Sequence, residues 1–238
     1  MDGPVHSPVD SPAWISWAGL AAVVGGLSAV VLTAPFASAY FLAYPGYDAV
    51  PFWVPSLEDP LQPLLTFASP IELYELYGRI FNFVYLLFLP AAFGLRHLHR
   101  GPGSRIARRG FALLVGGLIA TFIGVAGDYW ANGIGFPIEV LGLLTLAVGV
   151  TVYGVALLPS GVVPRWCAWL LVSCGPGAIV FSLLIGHIPS GPTFPFALAW
   201  LMVGLMLLFK RMGPVSRRTR RAPSASGPAT TSGYRSRR

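Results

Sequence analysis

In the stretch ELYELYGRIFN, the polar residues Glu72, Glu75, Arg79 and Asn82 are spaced three, four and three apart. In an α-helix that spacing places all four side chains on one face. Two carboxyls, a guanidinium and an amide in one row can clamp a neighbouring helix, hold a polar ligand or move protons. Three residues elsewhere in the chain are candidates to join them: Asp128, Glu139 and His187.

Arg79 sets the problem. It falls about one turn inside an apolar run, and an arginine exposed to lipid is costly, so it is expected to face protein and to have a partner. Glu75 stands four residues before it. Asp128 is the second candidate, because it ends another apolar run, where a helix dipole disfavours an anion. An Arg79–Asp128 pair is expected, with Glu75 or Glu139 as a second acid. The stripe Gly117, Thr121, Gly124 and Asp128 is expected to lie against the helix of Arg79, its glycines permitting close approach. Glu139 follows Pro137 by two residues, so it also suits the start of a helix, where the dipole favours an anion. His187 ends an apolar run, either as a boundary residue or as a member of the cluster. The row as a whole reads as a polar staple between helices or as a pocket open to the outer leaflet.

The elements that must position these residues follow from composition. Of 238 residues, 55% are hydrophobic and 11% charged, against about 25% charged in soluble domains. The fold class is therefore all-α, a polytopic membrane helix bundle. Apolar runs of membrane-spanning length predict six helices at 14–34 (with room to extend to 43), 76–95, 110–130, 138–158, 166–187 and 193–211. Ser69-Pro70-Ile71-Glu72 is a capping box with proline at the first helical position. Ala37-Ser38-Ala39 resembles a signal-peptide cleavage site, but the leading segment carries Asp2 and Asp10 and no cation, so a retained helix is expected.

Arginine sets the orientation. The segment 96–109 carries five arginines, 159–165 carries Arg165, and the residues after 209 carry Lys210 and eight arginines. These segments alternate correctly to share one side, expected to be the cytoplasm, with both termini there. The other side receives Asp48, Glu58, Asp59, Glu72, Glu75, Asp128 and Glu139, with Arg79 as its lone cation. The expected organisation is a cytoplasmic segment 1–13, a six-helix domain 14–212 with a long outer loop 44–69, and a disordered basic tail 213–238. The loop, rich in proline and aromatics, is expected on the membrane surface or over the bundle mouth. Fifteen of the sixteen cations are arginine, a skew that suggests a GC-rich bacterial genome and a cell (inner) membrane location.

Expected partners are membrane lipids, with anionic lipid heads at the basic tail, and a protein partner within the membrane. Nucleic acid is not expected, nor is a cofactor or a metal. His97 and His99 sit among arginines that would repel a cation. Cys167 and Cys174 are seven apart in one helix, too far to bond, and read as packing residues. Gly175-Pro176-Gly177 predicts a kinked or broken helix. With no phosphate loop, nucleophile elbow or haem motif, three roles stay open. One is a non-catalytic accessory or interaction protein whose outer-face cluster accepts a lipophilic ligand. The others are a membrane-embedded acid–base enzyme acting on a lipid or isoprenoid, and a small proton-coupled transporter.

Overall fold

The computed structural model describes residues 12–46, 49–99 and 104–209. The N-terminal segment 1–11 and the basic tail lie outside these residues. The described residues form seven helices: α1 (Ala13–Ala43), α2 (Val54–Leu65), α3 (Pro70–Leu98), α4 (Arg105–Trp130), α5 (Phe136–Leu157), α6 (Arg165–Ile185) and α7 (Ser190–Phe209). All but α2 are long and apolar enough to cross a membrane. The protein is a multi-span membrane helix bundle.

Local chemistry sets the helix ends. Ser69 and Glu72 form the expected reciprocal capping box at the start of α3. The Ser104 hydroxyl accepts the Ala107 N–H at 3.1 Å to cap α4. Gly186, in the left-handed region at φ 72°, closes α6. α3 and α6 both run unbroken past an internal proline.

Of the kink or break expected at Pro176, α6 shows no break. A proline leaves the carbonyl four residues earlier without its N–H donor, here that of Val172. The Thr151 hydroxyl of α5 donates to that carbonyl at 3.3 Å and accepts the Gly175 N–H at 3.1 Å. A neighbouring helix thus supplies what the proline removes, as transmembrane prolines require.

The six long helices form a closed ring in the order α1, α3, α4, α5, α6, α7, each packed on its two neighbours. Neighbours run antiparallel, so among the described residues one end of the ring carries Arg96, Arg105, Arg108, Arg109 and Arg165 and the other Glu58, Asp59, Glu72, Glu75, Asp128 and Glu139. Trp200, Tyr85, Tyr153, Phe36, Phe81, Phe88 and Phe196 fill the interior. Large apolar side chains such as Trp17, Val31, Leu141 and Leu183 point outward, the arrangement lipid demands.

The closest seam joins α4 to α5. A Cβ added at Gly110 would meet the Tyr153 backbone, one at Gly117 that of Leu146, and one at Gly124 that of Glu139. In return, Gly149 receives Leu114 and Gly142 receives Thr121. Small residues bring backbones together where lipid offers no hydrophobic drive. The stripe Gly117–Thr121–Gly124 therefore faces α5, not α3 as expected. α5 offers matching glycines at the same depths, whereas α3 presents its aromatic row there.

The 44–69 connection is also more ordered than a loop. It contains α2, and it is pinned at both ends. Trp53 donates from its indole nitrogen to the Leu184 carbonyl at 3.0 Å, and the Tyr77 hydroxyl donates to the Leu64 carbonyl at 2.7 Å.

Candidate functional site at the acid-rich end

α3 carries two adjacent rows. The first is the polar row read from the sequence; the second is aromatic, with Tyr74, Tyr77, Phe81, Tyr85 and Phe88 at helical spacing. The polar row passes from solvent to interior. Glu72 is exposed and serves the helix cap, its carboxylate accepting the Ser69 N–H at 3.0 Å and the Ser69 hydroxyl at 2.7 Å. Glu75 and Arg79 are half-buried and form an ion pair at 2.6 Å. Asn82 is fully buried.

Arg79 does not pair with Asp128. Its Nε donates to the backbone carbonyl of the next residue, Tyr129, at 3.0 Å. Among the described residues its ion-pair partner is Glu75 alone. The last carbonyls of a helix lack intrahelical donors and form its negative pole, so the end of α4 attracts the guanidinium through its backbone. The expected depth match between the two helices is present; the atom that uses it differs.

Beside this pair runs a hydrogen-bonded chain that the polar row did not announce. The Tyr129 hydroxyl donates to the Tyr74 hydroxyl at 2.9 Å, and Tyr74 lies 3.4 Å from His187 Nε2. His187 Nδ1 lies 2.8 Å from the Ser190 hydroxyl. Burial pushes the His187 imidazole down to about 3, so it is neutral near pH 7 and has one donor and one acceptor nitrogen. Phe36 and Tyr40 wall the imidazole at ring-centroid distances of 4.7 and 4.9 Å. A second link, Tyr85 to Thr193 at 2.6 Å, crosses from α3 to α7.

Deeper in the ring lies a different kind of polar group. Asn82, Thr121 and Glu139 are each 0% exposed. Among the described residues, neither the Asn82 amide atoms, the Thr121 hydroxyl nor either Glu139 carboxyl oxygen has a hydrogen-bond partner. Asn82 and Glu139 lie at similar depth, and Thr121, packed on Gly142, lies about one turn further in. Gly78 of α3 packs on the Tyr129 ring, Asn82 lies one turn inward of Gly78, and Glu139 packs on Gly124, just over one turn inward of Tyr129. The Glu139 carboxyl is within electrostatic range of Asp128 and of the phenols of Tyr74, Tyr85 and Tyr129. A buried polar atom left unpaired costs about 1–3 kcal/mol, more for a charged group. A carboxyl, an amide and a hydroxyl, buried in this half of the ring without hydrogen-bond partners among the described residues, are the polar groups the fold leaves unsatisfied here.

An apolar groove of about 380 Å³ borders this half of the ring on the lipid side, between α5 and α6. Val140, Leu143, Ala147, Pro176, Ile179 and Ile188 line it. Val140 adjoins Glu139 and Ile188 adjoins His187 in sequence.

The structure therefore pairs Glu75 with Arg79, leaves Asn82 and Glu139 buried without hydrogen-bond partners among the described residues, and puts His187 in the tyrosine chain. Tyr74, Tyr129 and Ser190 join the site without a sequence signal beyond the aromatic period of α3. His97 and His99 diverge: His97 packs edge-on against Trp14 at 5.2 Å, and His99 packs on Tyr153 at 5.9 Å. No group of metal-ligating side chains occurs among the described residues. Fold and site together define a class, a polytopic membrane protein with buried, unsatisfied polar groups in the half of its ring nearer the acid-rich end. No family model matches the chain, and no curated protein or solved structure does.

Proposed function

We propose that this protein is a non-catalytic membrane accessory protein that holds a lipophilic ligand in the outer half of its helix ring. The ligand's polar, hydrogen-bond-donating end sits against Glu139, Asn82 and Thr121, and its apolar portion lies along the α5–α6 groove. The observation that carries this reading is the fully buried Glu139 carboxyl, unpaired among the described residues. A structural staple satisfies its own polar atoms, as Arg79 and Glu75 do. Ionisable groups inside a membrane bundle are costly and are retained for function. A neutral tyrosine–histidine chain above this carboxyl separates it from water, which strengthens any electrostatic contact made below.

The test is native mass spectrometry of protein extracted in mild detergent, comparing wild type with Glu139→Gln and Asn82→Leu. The reading expects a lipophilic adduct on the wild type that is at least tenfold depleted in both variants, although both accumulate normally. Identical adducts on all three proteins would overturn it.

A further inference from the structure

At the opposite end of the ring, the tip of α3 meets α4 and α5. Arg96 and His99 come from α3 and its C-cap, Phe111 from α4 and Tyr153 from α5. The Arg96 guanidinium lies over the Phe111 ring, 5.8 Å from its centroid. Tyr153 contacts the rings of His99 and Phe111 at 5.9 and 5.8 Å. Among the described residues, Arg96 Nη1, His99 Nδ1 and the Tyr153 hydroxyl are buried atoms without a well-formed hydrogen bond, although the Arg96 guanidinium approaches the Tyr153 hydroxyl, whose proton stays free; the Tyr153 side chain is 0% exposed.

These orphans share a sign. Arginine and the tyrosine hydroxyl offer protons, and a neutral histidine can offer one from Nδ1. Burial, and then the adjacent Arg96 charge, lower the His99 value, so the ring meets a ligand uncharged. Among the described residues no acid lies at this end of the ring: there is no Asp or Glu between Glu75 and Asp128, or between Glu139 and Phe209. The start of α4 adds to the imbalance. Its first turns hold Arg105, Arg108 and Arg109 and no acid, at the helix end where the dipole is already positive. Cations at that pole are unfavourable unless an anion joins them.

We propose that Arg96, His99 and Tyr153 form a binding site for a phosphate group at the arginine-rich end of the bundle. The guanidinium supplies charge and two parallel donors, the form of recognition arginine gives phosphate. Tyr153 and His99 supply neutral donors from the protein side. The phosphate comes either from an anionic phospholipid headgroup at the membrane boundary or from a soluble phosphate.

The experiment measures the thermal unfolding midpoint of the full chain in nanodiscs. One series adds phosphatidylglycerol to phosphatidylcholine; a second uses phosphatidylcholine alone and adds inorganic phosphate. Tyr153→Phe and Arg96→Gln are run beside wild type. Tyr153→Phe leaves net charge untouched, so it separates the site from general attraction between arginines and anionic lipid. A saturable upward shift in the first series identifies a headgroup, and one confined to the second identifies soluble phosphate. In either case Tyr153→Phe requires about tenfold more ligand for half the shift, the loss of one charge-assisted hydrogen bond, and Arg96→Gln abolishes it. No shift in either series, or equal shifts in all three proteins, overturns the proposal.

Discussion

Arg79 binds α4 through the Tyr129 carbonyl, 3.0 Å from its Nε, and not through the neighbouring carboxylate of Asp128. Arg79→Gln should therefore lower stability by about 1–2 kcal/mol, the low end for a charged hydrogen bond at a half-exposed site. Asp128→Asn should change it by less than about 0.5 kcal/mol. Exchanging the two residues should not restore the Arg79 loss. Thermal unfolding in detergent measures all three, and recovery in the exchanged protein would reinstate an Arg79–Asp128 pair.

Thr151 and Pro176 are predicted to be coupled. Thr151→Val strands the Val172 carbonyl and should cost about 1–3 kcal/mol. In a Pro176→Ala background that carbonyl regains its N–H, so the same change should cost much less. A double-mutant cycle reads the difference directly. Equal costs in both backgrounds would show that the hydroxyl does not replace the missing donor.

The α4–α5 seam predicts a sharp contrast between neighbouring glycines. Gly117→Val would drive its side chain into the Leu146 backbone, whereas a Cβ at Gly116 meets nothing within 4 Å. Gly117→Val should abolish accumulation of folded protein, and Gly116→Ala should leave it unchanged. Fluorescence size-exclusion profiles of tagged proteins distinguish them.

His187 predicts an acid-sensitive fold. Its folded-state value, about 3, lies below the ordinary histidine value of about 6.5. Between these values the unfolded chain binds a proton that the folded protein excludes, so stability falls as pH drops from about 6.5 toward 3. The slope from this one group is at most about 1.4 kcal/mol per pH unit. The decline should be visible by pH 5 in wild type and flatter in His187→Gln. Parallel pH profiles would remove His187 as its source.

The six spans were legible because length and apolarity alone define a membrane helix, and the capping box at Ser69 and Glu72 was legible because it is local. The partner of Arg79 was not, because a backbone carbonyl leaves no mark in the residue types. The orientation of the Gly117–Thr121–Gly124 stripe was misread for a related reason. A small-residue face shows that some backbone comes close, and only matching glycines at Gly142 and Gly149 say whose. Helix α2 was hidden by its internal prolines, Pro60 and Pro63, and its order comes from distant bonds by Trp53 and Tyr77. The tyrosine–histidine chain joins residues 74, 129, 187 and 190, which only the closed ring brings together.

The most direct test concerns Glu139. Wild type and Glu139→Met are compared by unfolding midpoint, first after exhaustive detergent exchange and then after adding back a total lipid extract of the host membrane. If Glu139 serves a ligand, the stripped variant is at least as stable as stripped wild type, because an unpaired buried carboxyl has been replaced by an apolar chain of similar size. Only wild type then gains stability beyond the general lipid effect when extract returns. A stripped variant that melts several degrees below wild type, with equal gains from extract, would contradict the account and make Glu139 a structural residue.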